Sequence, residues 1–279
     1  MLKTRIIPVL LLKNGILVRS RNFKLHQSTG NHIHQLERLS RWKADEIIYL
    51  DISRDGRGSL LESYQNIGTS SSIKHSDSES DIKFNIINTI KEISKICFVP
   101  LTIGGKIKNL DDIRMRLEAG ADKVSINTEA INNKEFISSA AKEFGSQCIV
   151  ISIDCKKIKQ GNHEIYKVFK SQGKIDSGLI LEDWAKEVES LGAGEILIQS
   201  IDQDGIGLGY DQEMILKTVK SVNIPVIALG GVGEFSHFYD LYKSASPSAL
   251  AAGNIFHFTE QSLLKLKEFL KKKNMNIRI

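Results

Sequence analysis

The chain has few cysteines, no long apolar run and no strong excess of one charge, and each shortage excludes a class of protein. Its three cysteines form no C-x-x-C pair and no disulfide framework, so we expect reduced thiols. The apolar run at 6–12 is too short to cross a membrane and lacks a signal-peptide cleavage pattern. The net charge of +5 is modest and scattered. We therefore expect a cytoplasmic protein that binds neither nucleic acid nor membrane.

The seven histidines show no metal-ligand spacing, and the pair His32 and His34 suits a helix start or a loop better than a metal site. The sequence therefore predicts neither a metal ion nor a cofactor.

Two Gly-Gly pairs end strand-like apolar runs, and they lie 126 residues apart, nearly half the chain. The run at 99–103 leads into Gly104 and Gly105, and the run at 225–229 leads into Gly230 and Gly231. A glycine pair lets backbone N–H groups approach an anion without interference from a Cβ atom, although glycine also simply ends many strands. Two pairs in matched settings predict a two-fold scaffold for a ligand with two phosphates.

Short apolar runs alternate with amphipathic stretches along the chain. The strand candidates are 6–12, 46–52, 98–103, 123–126, 148–154, 195–200, 225–229 and 249–252. Helical patterns occupy 32–42, 84–95, 110–119, 134–144, 181–191, 211–222, 235–245 and 260–272. Eight strands that are each followed by a helix predict an α/β fold, the (β/α)8 TIM barrel; a doubly wound open sheet is the alternative.

One segment interrupts this alternation. Residues 54–81, after the second strand, are rich in Ser and Gly and too long for an ordinary connection from a strand to a helix. In a barrel they would lie over the C-terminal face, either as a functional lid or as a disordered decoration. We expect residues 1–279 to form a single domain that carries 54–81 as an inserted loop.

A set of motifs extends from end to end, apart from residues 54–81. It comprises Arg5-Ile6-Ile7-Pro8, Leu50-Asp51-Ile52, Leu101-Thr102-Ile103-Gly104-Gly105, Gly120-Ala121-Asp122-Lys123-Val124-Ser125-Ile126-Asn127, Phe144-Gly145-Ser146-Gln147, Gly192-Ala193-Gly194-Glu195, Asp202-Gln203-Asp204-Gly205, Gly209-Tyr210-Asp211 and Ile255-Phe256-His257. Together these motifs resemble the cyclase subunit of imidazole glycerol phosphate synthase.

That resemblance implies a (β/α)8 barrel that works with a separate glutaminase subunit as a heterodimer. The glutaminase would release ammonia, which would cross the barrel core to the C-terminal face. There it would react with a bisphosphate, a ribulosyl-linked aminoimidazole carboxamide ribonucleotide. The products would be imidazole glycerol phosphate and a carboxamide nucleotide.

The resemblance also assigns the residues that bind the substrate. One phosphate site would comprise Gly104, Gly105, Asn127 and Thr128. The other would comprise Gly230, Gly231, Gly253 and Asn254. The remaining contacts to the substrate would come from Arg19, Asp51, Asp204 and Gly205.

The chain departs from the family pattern at a catalytic position. The family uses two aspartates, at the ends of strands one and five, as general acid and base. Asp154 fills the second position, but Leu11 occupies the first and cannot transfer a proton. Such a role is typically worth about 10²–10⁴-fold in rate. Other positions that face the site differ as well: Lys106 replaces a glycine, Leu229 a serine, and Gln199 and Ile206 threonines. Lys106 would either pair with a phosphate or carboxylate or point to solvent.

The opposite end of the barrel keeps the family pattern. Four residues of alternating charge would ring the ammonia entrance: Arg5, Glu46, Lys123 and Glu195. Each stands just before an apolar run, so each is expected to project into the bottom of the barrel, although a single such charge could simply keep a strand entry soluble. Asp45 and Asp122, beside two of them, would face the glutaminase.

Three interpretations remain open. In the first, the chain receives ammonia but serves amidine formation, together with an ATP-dependent sugar amidotransferase that makes an acetamidino sugar for surface polysaccharide. Leu11 and the long Ser-rich loop favour this variant branch. In the second, the chain is a true cyclase of histidine biosynthesis in which Asp51 or Asp204 replaces the missing aspartate. In the third, it is a non-catalytic module that activates a glutaminase. A related sugar-phosphate isomerase barrel shares the glycine turns but lacks the charged ring.

Overall fold

The computed structural model describes residues 3–53, 85–161 and 163–278. The loop expected at 54–81 lies outside these ranges, as does the expected helix start at residue 84. None of the helices in the described ranges has the length and apolar composition that a membrane crossing requires.

Twelve strands are described. They are β1 (Arg5–Lys13), β2 (Ile16–Arg21), β3 (Leu25–Gly30), β4 (Ile47–Asp51), β5 (Leu101–Gly104), β6 (Lys123–Ile126), β7 (Ile149–Gln160), β8 (His163–Lys170), β9 (Ile175–Ile180), β10 (Glu195–Ser200), β11 (Val226–Leu229) and β12 (Ala249–Ala252). Eight of them pair in parallel in the order β1-β4-β5-β6-β7-β10-β11-β12, and β12 pairs with β1 again. The sheet is therefore closed, and the expected (β/α)8 barrel is confirmed.

Helices cover the outside of this barrel. They are α1 (His32–Arg41), α2 (Ile86–Ile93), α3 (Leu110–Glu118), α4 (Thr128–Asn132), α5 (Glu135–Phe144), α6 (Leu181–Ser190), α7 (Gln212–Ser221), α8 (Phe235–Ala245) and α9 (Leu263–Lys272). Their starts follow local side-chain chemistry: the Asn109 side chain accepts a hydrogen bond from Asp112 N at 2.8 Å and caps α3. All eight expected helices are present, and the short α4 is additional.

Two antiparallel hairpins were not expected. β2 and β3 fold back on β1, with Leu11 opposite Val18, and β8 and β9 fold back on the outer half of β7, with Cys155 opposite Val168. The expectation that every strand leads directly to its helix is therefore wrong for β1 and β7. These are the first and fifth barrel strands, so the hairpins repeat in the two halves of the barrel.

The barrel interior is a packed apolar layer between two polar ends. Leu11 and Leu50 pack against this layer, which is formed by Ile7, Val9, Ile48, Val150, Leu197, Ile227, Leu229, Ala249 and Ala251. A second and larger core lies between strands and helices and includes the fully buried Trp184 and Phe238. Side chains alternate along each strand, so every second residue contributes to the interior. Polar residues at the strand ends therefore line the two mouths of the barrel.

Candidate active site

A chamber of about 480 Å³ opens at the C-terminal ends of the barrel strands. This volume lies in the range of sites for small molecules. Gly104 does not line it, but six of the positions singled out from the sequence do: Leu11, Asp51, Gly105, Asn127, Thr128 and Asp154. The C-terminal face is also where barrel enzymes carry their active sites.

The first Gly-Gly turn forms one edge of this chamber, and the backbone is packed closely there. A Cβ atom on Gly104 would lie 2.6 Å from Leu50 Cδ2. Gly105 has φ of +102°, and a Cβ atom there would lie 2.1 Å from the carbonyl oxygen of Asp51. Gly105 is therefore required by the close approach of the β4 backbone, whereas a side chain at Gly104 would have to displace the Leu50 side chain.

Lys106 continues this turn in a left-handed conformation, with φ of +55°. A glycine would adopt this conformation without strain, whereas other residues pay a cost of about 1 kcal/mol. The ammonium group lies 3.7 Å from Asp51 Oδ2. Of the alternatives open from the sequence, the structure shows the pairing with a carboxylate. Asp51 also accepts hydrogen bonds from the backbone N–H and the hydroxyl of Ser53.

The start of α4 supplies polar groups to the same chamber. Asn127 precedes the helix, and its amide interacts with Asp154, although neither of its polar atoms makes a hydrogen bond of ordinary geometry within the described residues. Thr128 Oγ1 accepts a hydrogen bond from Ser171 N at 3.1 Å, which ties α4 to the loop after β8. The Ser125 hydroxyl is buried and likewise lacks a partner among the described residues. These groups remain available to a ligand.

Asp154 occupies the end of the fifth barrel strand, inside the chamber. Its burial and the negative charge of Asp204 raise the pKa of Asp154 to about 7, and the amide of Asn127 partly opposes the shift. A carboxyl group with this pKa exchanges protons readily near neutral pH, which suits a general acid or base.

Leu11 occupies the end of the first barrel strand, where the family pattern has an aspartate. It pairs in register with Leu50 and packs on the apolar interior of the barrel. Leu11 and Gln199 line both the large chamber and a second, smaller cavity. Leu11 therefore puts an apolar partition between the two cavities instead of a proton-transfer group.

The smaller cavity, about 30 Å³, contains the second Gly-Gly turn. Gly230 and Gly231 have φ of +104° and +96°, and a Cβ atom on Gly231 would lie 1.9 Å from the carbonyl oxygen of Gly209. Gly253 and Asn254 line the cavity from the last strand, and Asn254 Nδ2 donates a hydrogen bond to Ser20 O at 2.8 Å. The four residues expected to form the second phosphate site are thus brought together.

Asp204 ties the β2–β3 hairpin to this cavity. Its Oδ2 accepts hydrogen bonds from Ser20 Oγ at 2.6 Å and from Phe23 N at 3.0 Å. Burial raises the pKa of Asp204, and these two hydrogen bonds oppose the shift. Gly205 follows with φ of +67°, and a Cβ atom there would lie 2.1 Å from Ser20 O.

Arg19 does not join the other expected binding residues. Its guanidinium group donates hydrogen bonds to Gln27 on the neighbouring strand and lies 5.9 Å from the centre of the Phe258 ring. It lines neither cavity, because the alternation of β2 directs Ser20 to the site and Arg19 to the other face.

Four charged side chains close the opposite, N-terminal mouth of the barrel in an alternating ring. Arg5 bonds Glu46 at 2.7 Å and also bonds Glu195. Lys123 completes the ring, at 2.9 Å from Glu46 and 3.0 Å from Glu195. Thr102 Oγ1 donates a further hydrogen bond to Glu46, at 3.0 Å. Burial alone would lower the pKa of Arg5, but Glu195 and Glu46 together raise it.

Asp45, expected to face a partner, is instead committed to the fold. It is buried, accepts a hydrogen bond from Ile6 N at 2.7 Å and forms an ion pair with Lys267 of α9, also at 2.7 Å. Asp122 is exposed, but its carboxylate accepts a hydrogen bond from Leu101 N. Both carboxylates satisfy backbone groups at strand starts.

Three polar residues of this region were not predicted from the sequence. Ser125 and Ser152 line the chamber beneath Asn127 and Asp154, and Arg116 lies buried behind the first Gly-Gly turn. Arg116 stands three residues after Ile113, on the buried face of α3, and that position of an arginine was the available signal. Within the described part of the chain, no group of three His, Cys, Asp or Glu side chains is arranged to hold a metal ion.

These features define a class: a (β/α)8 barrel with its site at the C-terminal strand ends and glycine turns repeated in its two halves. A family model described as "Histidine biosynthesis protein" matches residues 77–262. The chain is also similar to the protein named "Imidazole glycerol phosphate synthase subunit HisF" from several bacteria. It is 42% identical to that of Hydrogenobaculum sp. (strain Y04AAS1) over 279 residues, and 40% identical to those of Clostridium botulinum (strain 657 / Type Ba4) and Natranaerobius thermophilus. Each match covers 100% of both chains. The chain belongs to the HisF family of imidazole glycerol phosphate synthase subunits.

Proposed function

We propose that this chain is an ammonia-using subunit of an imidazole glycerol phosphate synthase-like complex and that it pairs with a glutaminase subunit. One observation carries the proposal: a ring of four charges closes one mouth of the barrel, and a chamber containing Asp154 opens at the other. Ammonia would enter through the ring of Arg5, Glu46, Lys123 and Glu195 and react in the chamber.

The lining of the barrel supports passage of neutral ammonia. The interior between the mouths is apolar, and an ammonium ion would lose its hydration there at a large cost in free energy. Ser125 and Ser152 add hydroxyl groups near the chamber, where an ammonia molecule could form hydrogen bonds. One member of the charged ring must move aside for entry. Lys123, the most exposed of the four side chains, suits that role best.

The chamber suits a phosphorylated ligand. The first Gly-Gly turn lies at the edge of the chamber, and Asn127 and Ser125 offer polar groups that the described residues leave without hydrogen bonds of ordinary geometry. Asp154, with a pKa of about 7, would exchange a proton with the reacting group.

Two reactions are compatible with this arrangement. Similarity to named synthase subunits supports cyclisation, which would give imidazole glycerol phosphate and aminoimidazole carboxamide ribonucleotide. Leu11 supports a different outlet, in which ammonia passes to an ATP-dependent sugar amidotransferase that forms an acetamidino sugar. With Leu11 in place of a carboxyl group, cyclisation by this chain should be slow.

Direct assay of the purified chain separates these reactions. Ammonia and the ribulosyl bisphosphate are supplied, and formation of imidazole glycerol phosphate is followed. We expect Leu11→Asp to raise the rate by at least about tenfold, since a positioned proton-transfer group is worth about 10²–10⁴-fold. Leu11→Asn, of similar shape but without an acid, is the control. Wild-type turnover that neither variant improves would favour an ordinary cyclase and count against the amidine reading.

A second assay tests the glutaminase partner. The co-expressed glutaminase is measured with and without the barrel chain, and then with Glu46→Ala or Lys123→Ala. We expect the barrel to stimulate glutamine hydrolysis, and the ring variants to change the rate with glutamine but not with free ammonia. Glu187→Ala, an exposed partner of Lys134, is the control. Stimulation of hydrolysis without any turnover of ammonia would identify a non-catalytic activating module. Ring variants that leave glutamine-dependent transfer unchanged would refute the ammonia entrance.

A further inference from the structure

Arg116 is a buried arginine behind the first Gly-Gly turn, outside the chamber. It is only 3% exposed, on the inner face of α3. Its guanidinium group donates hydrogen bonds to the carbonyl oxygens of Asp112, at 2.7 Å, and Gly105, at 2.9 Å. The carboxylate of Asp112 lies farther away, at 4.0 Å, so the guanidinium group interacts mainly with backbone carbonyl groups. Burial of an arginine costs free energy unless hydrogen bonds or an opposite charge compensate for its lost hydration.

The hydrogen bond to Gly105 fixes the orientation of a peptide plane. In a trans peptide, the C=O group of one residue and the N–H group of the next point in opposite directions, and the described chain contains no cis peptide. With its carbonyl held by Arg116, the Gly105–Lys106 peptide directs the Lys106 N–H away from Arg116, to the side where both residues line the chamber.

In the second Gly-Gly turn the corresponding carbonyl group is also held by a hydrogen bond, but the donor is uncharged. The carbonyl of Gly231 accepts a hydrogen bond from the backbone N–H of Gly209 at 2.8 Å. Each turn therefore has its second carbonyl held back, but only the first is held by a cation. In addition, Asp204 is the one ionisable side chain among the described residues that line the second cavity. The first turn thus has a buried cation against its carbonyl group, which the second turn lacks, and the second turn has a carboxylate in its cavity.

We propose that Arg116 is a positioning residue for an anionic ligand group, such as a phosphate, at the first Gly-Gly turn. It orients the Gly105–Lys106 peptide and places a buried positive charge beneath it. As a result, the first turn binds phosphate more tightly than the second. This inference rests on the phosphate-binding role proposed above for the chamber.

Two other groups point to a ligand at the same place. The Ser125 hydroxyl lines the chamber, is buried and has no hydrogen-bond partner among the described residues. Asn127 also lines the chamber, and neither polar atom of its amide makes a hydrogen bond of ordinary geometry among the described residues, although the amide interacts with Asp154. Buried polar groups are normally satisfied, so unsatisfied groups that face a cavity indicate that a polar ligand completes them.

Titration of inorganic phosphate into the full chain tests the proposal, with calorimetry for affinity and the backbone NMR signal of Lys106 for location. We expect Arg116→Met to weaken phosphate binding at the first turn by about tenfold or more. Arg114→Met, on the same helix, removes an exposed arginine that pairs with Asp111 and Glu143, and it should leave the affinity within about twofold. Arg116→Lys keeps the charge but cannot donate to both carbonyl oxygens in the same geometry, so its affinity for phosphate should lie between those of Arg116→Met and Arg114→Met.

An Arg116→Met chain that unfolds cooperatively and binds phosphate like the wild type overturns the proposal, since a purely structural role would change stability alone. Where Arg116→Met does not fold, Arg116→Lys decides: unchanged affinity overturns the proposal, and weakened affinity with a normal melting temperature supports it. Absence of phosphate binding to the wild-type chain refutes the phosphate site itself. The assay uses no ammonia, so failure of the proposed ammonia reaction leaves its result intact.

Discussion

Asp154 shows at the residue scale that a group suited to proton transfer also costs stability. It is buried in the chamber, near the charge of Asp204, and its pKa is raised to about 7. In the unfolded chain the pKa of an aspartate is about 3.9. The folded chain therefore holds a proton that the unfolded chain has already released, and stability falls as the pH rises between these two values.

We predict that Asp154→Asn will become progressively more stable than the wild type as the pH rises. The advantage should grow by about 2 kcal/mol between about pH 5 and about pH 8, because the wild-type carboxyl must ionise inside the fold and the amide does not. Urea unfolding at both pH values measures it. Asp176→Asn is the control: its carboxylate has a lowered pKa because of the Gly178 N–H and Lys167, so its effect should not change in this range. A constant difference for Asp154→Asn would contradict the raised pKa.

Lys106 provides a second prediction at the residue scale. Its left-handed backbone strains any residue with a Cβ atom, while its ammonium group pairs with Asp51. Replacement by Gly and by Ala removes the same ion pair but only Gly relieves the strain. Lys106→Gly should therefore be more stable than Lys106→Ala by about 1 kcal/mol, as measured by thermal unfolding. Equal stabilities would show that the backbone of the turn relaxes instead.

At the scale of elements, the two hairpins mark where sequence patterns succeeded and failed. β3 is mostly exposed and polar, so it carries no apolar alternation that could reveal a strand. Asn14 and Gly15, both with positive φ, join β1 to β2, and this pair is a typical two-residue hairpin turn. The Asn-Gly pair was the signal in the sequence for this turn, but the hairpin was not predicted. The eight barrel strands were predictable because each is a buried apolar run.

Tyr166 holds the second hairpin against the barrel. Its hydroxyl donates a hydrogen bond to Asp211 Oδ1 at 2.8 Å, and Asp211 also caps α7 by accepting from Met214 N. We predict that Tyr166→Phe will destabilise the chain by about 1 kcal/mol and speed hydrogen exchange in β8 and β9. Tyr239→Phe on α8 is the control and should leave exchange in the hairpin unchanged. Faster exchange in both variants would rule out a specific contact of Tyr166.

At the scale of the whole molecule, the charged ring joins strands from both halves of the barrel. Arg5, Glu46 and Lys123 come from the first half, and Glu195 comes from the second. Both carboxylates are buried and each is shared by two cations, so loss of one cation leaves two carboxylates undercompensated.

We predict that Lys123→Met will lower the free energy of unfolding by about 2 kcal/mol. Lys134→Met removes an exposed ion pair with Glu187 and should cost less than about 1 kcal/mol. Denaturant unfolding of the two variants gives the comparison. Equal losses would show that solvent reaches the ring as freely as it reaches the surface.

The candidate site was predictable where one residue acts through its type and place at a strand end, as for Asp154 and the four glycines of the turns. It was not predictable where the contact depends on how elements pack. Arg19 faces away because β2 is a strand, and Asp45 is occupied by Lys267, which is distant in sequence. Arg116 is visible only as an arginine among buried positions until Gly105 is seen against it.

The unlike surroundings of the two glycine turns have a consequence for direction. A barrel with identical halves would accept a ligand with two phosphate ends equally well in either of two orientations, and half of the bound molecules would present the wrong atom to Asp154. Arg116 lies behind one turn and Asp204 lines the other. The two ends of such a ligand would therefore be distinguished on binding, and a barrel built from two similar halves would bind it in one orientation.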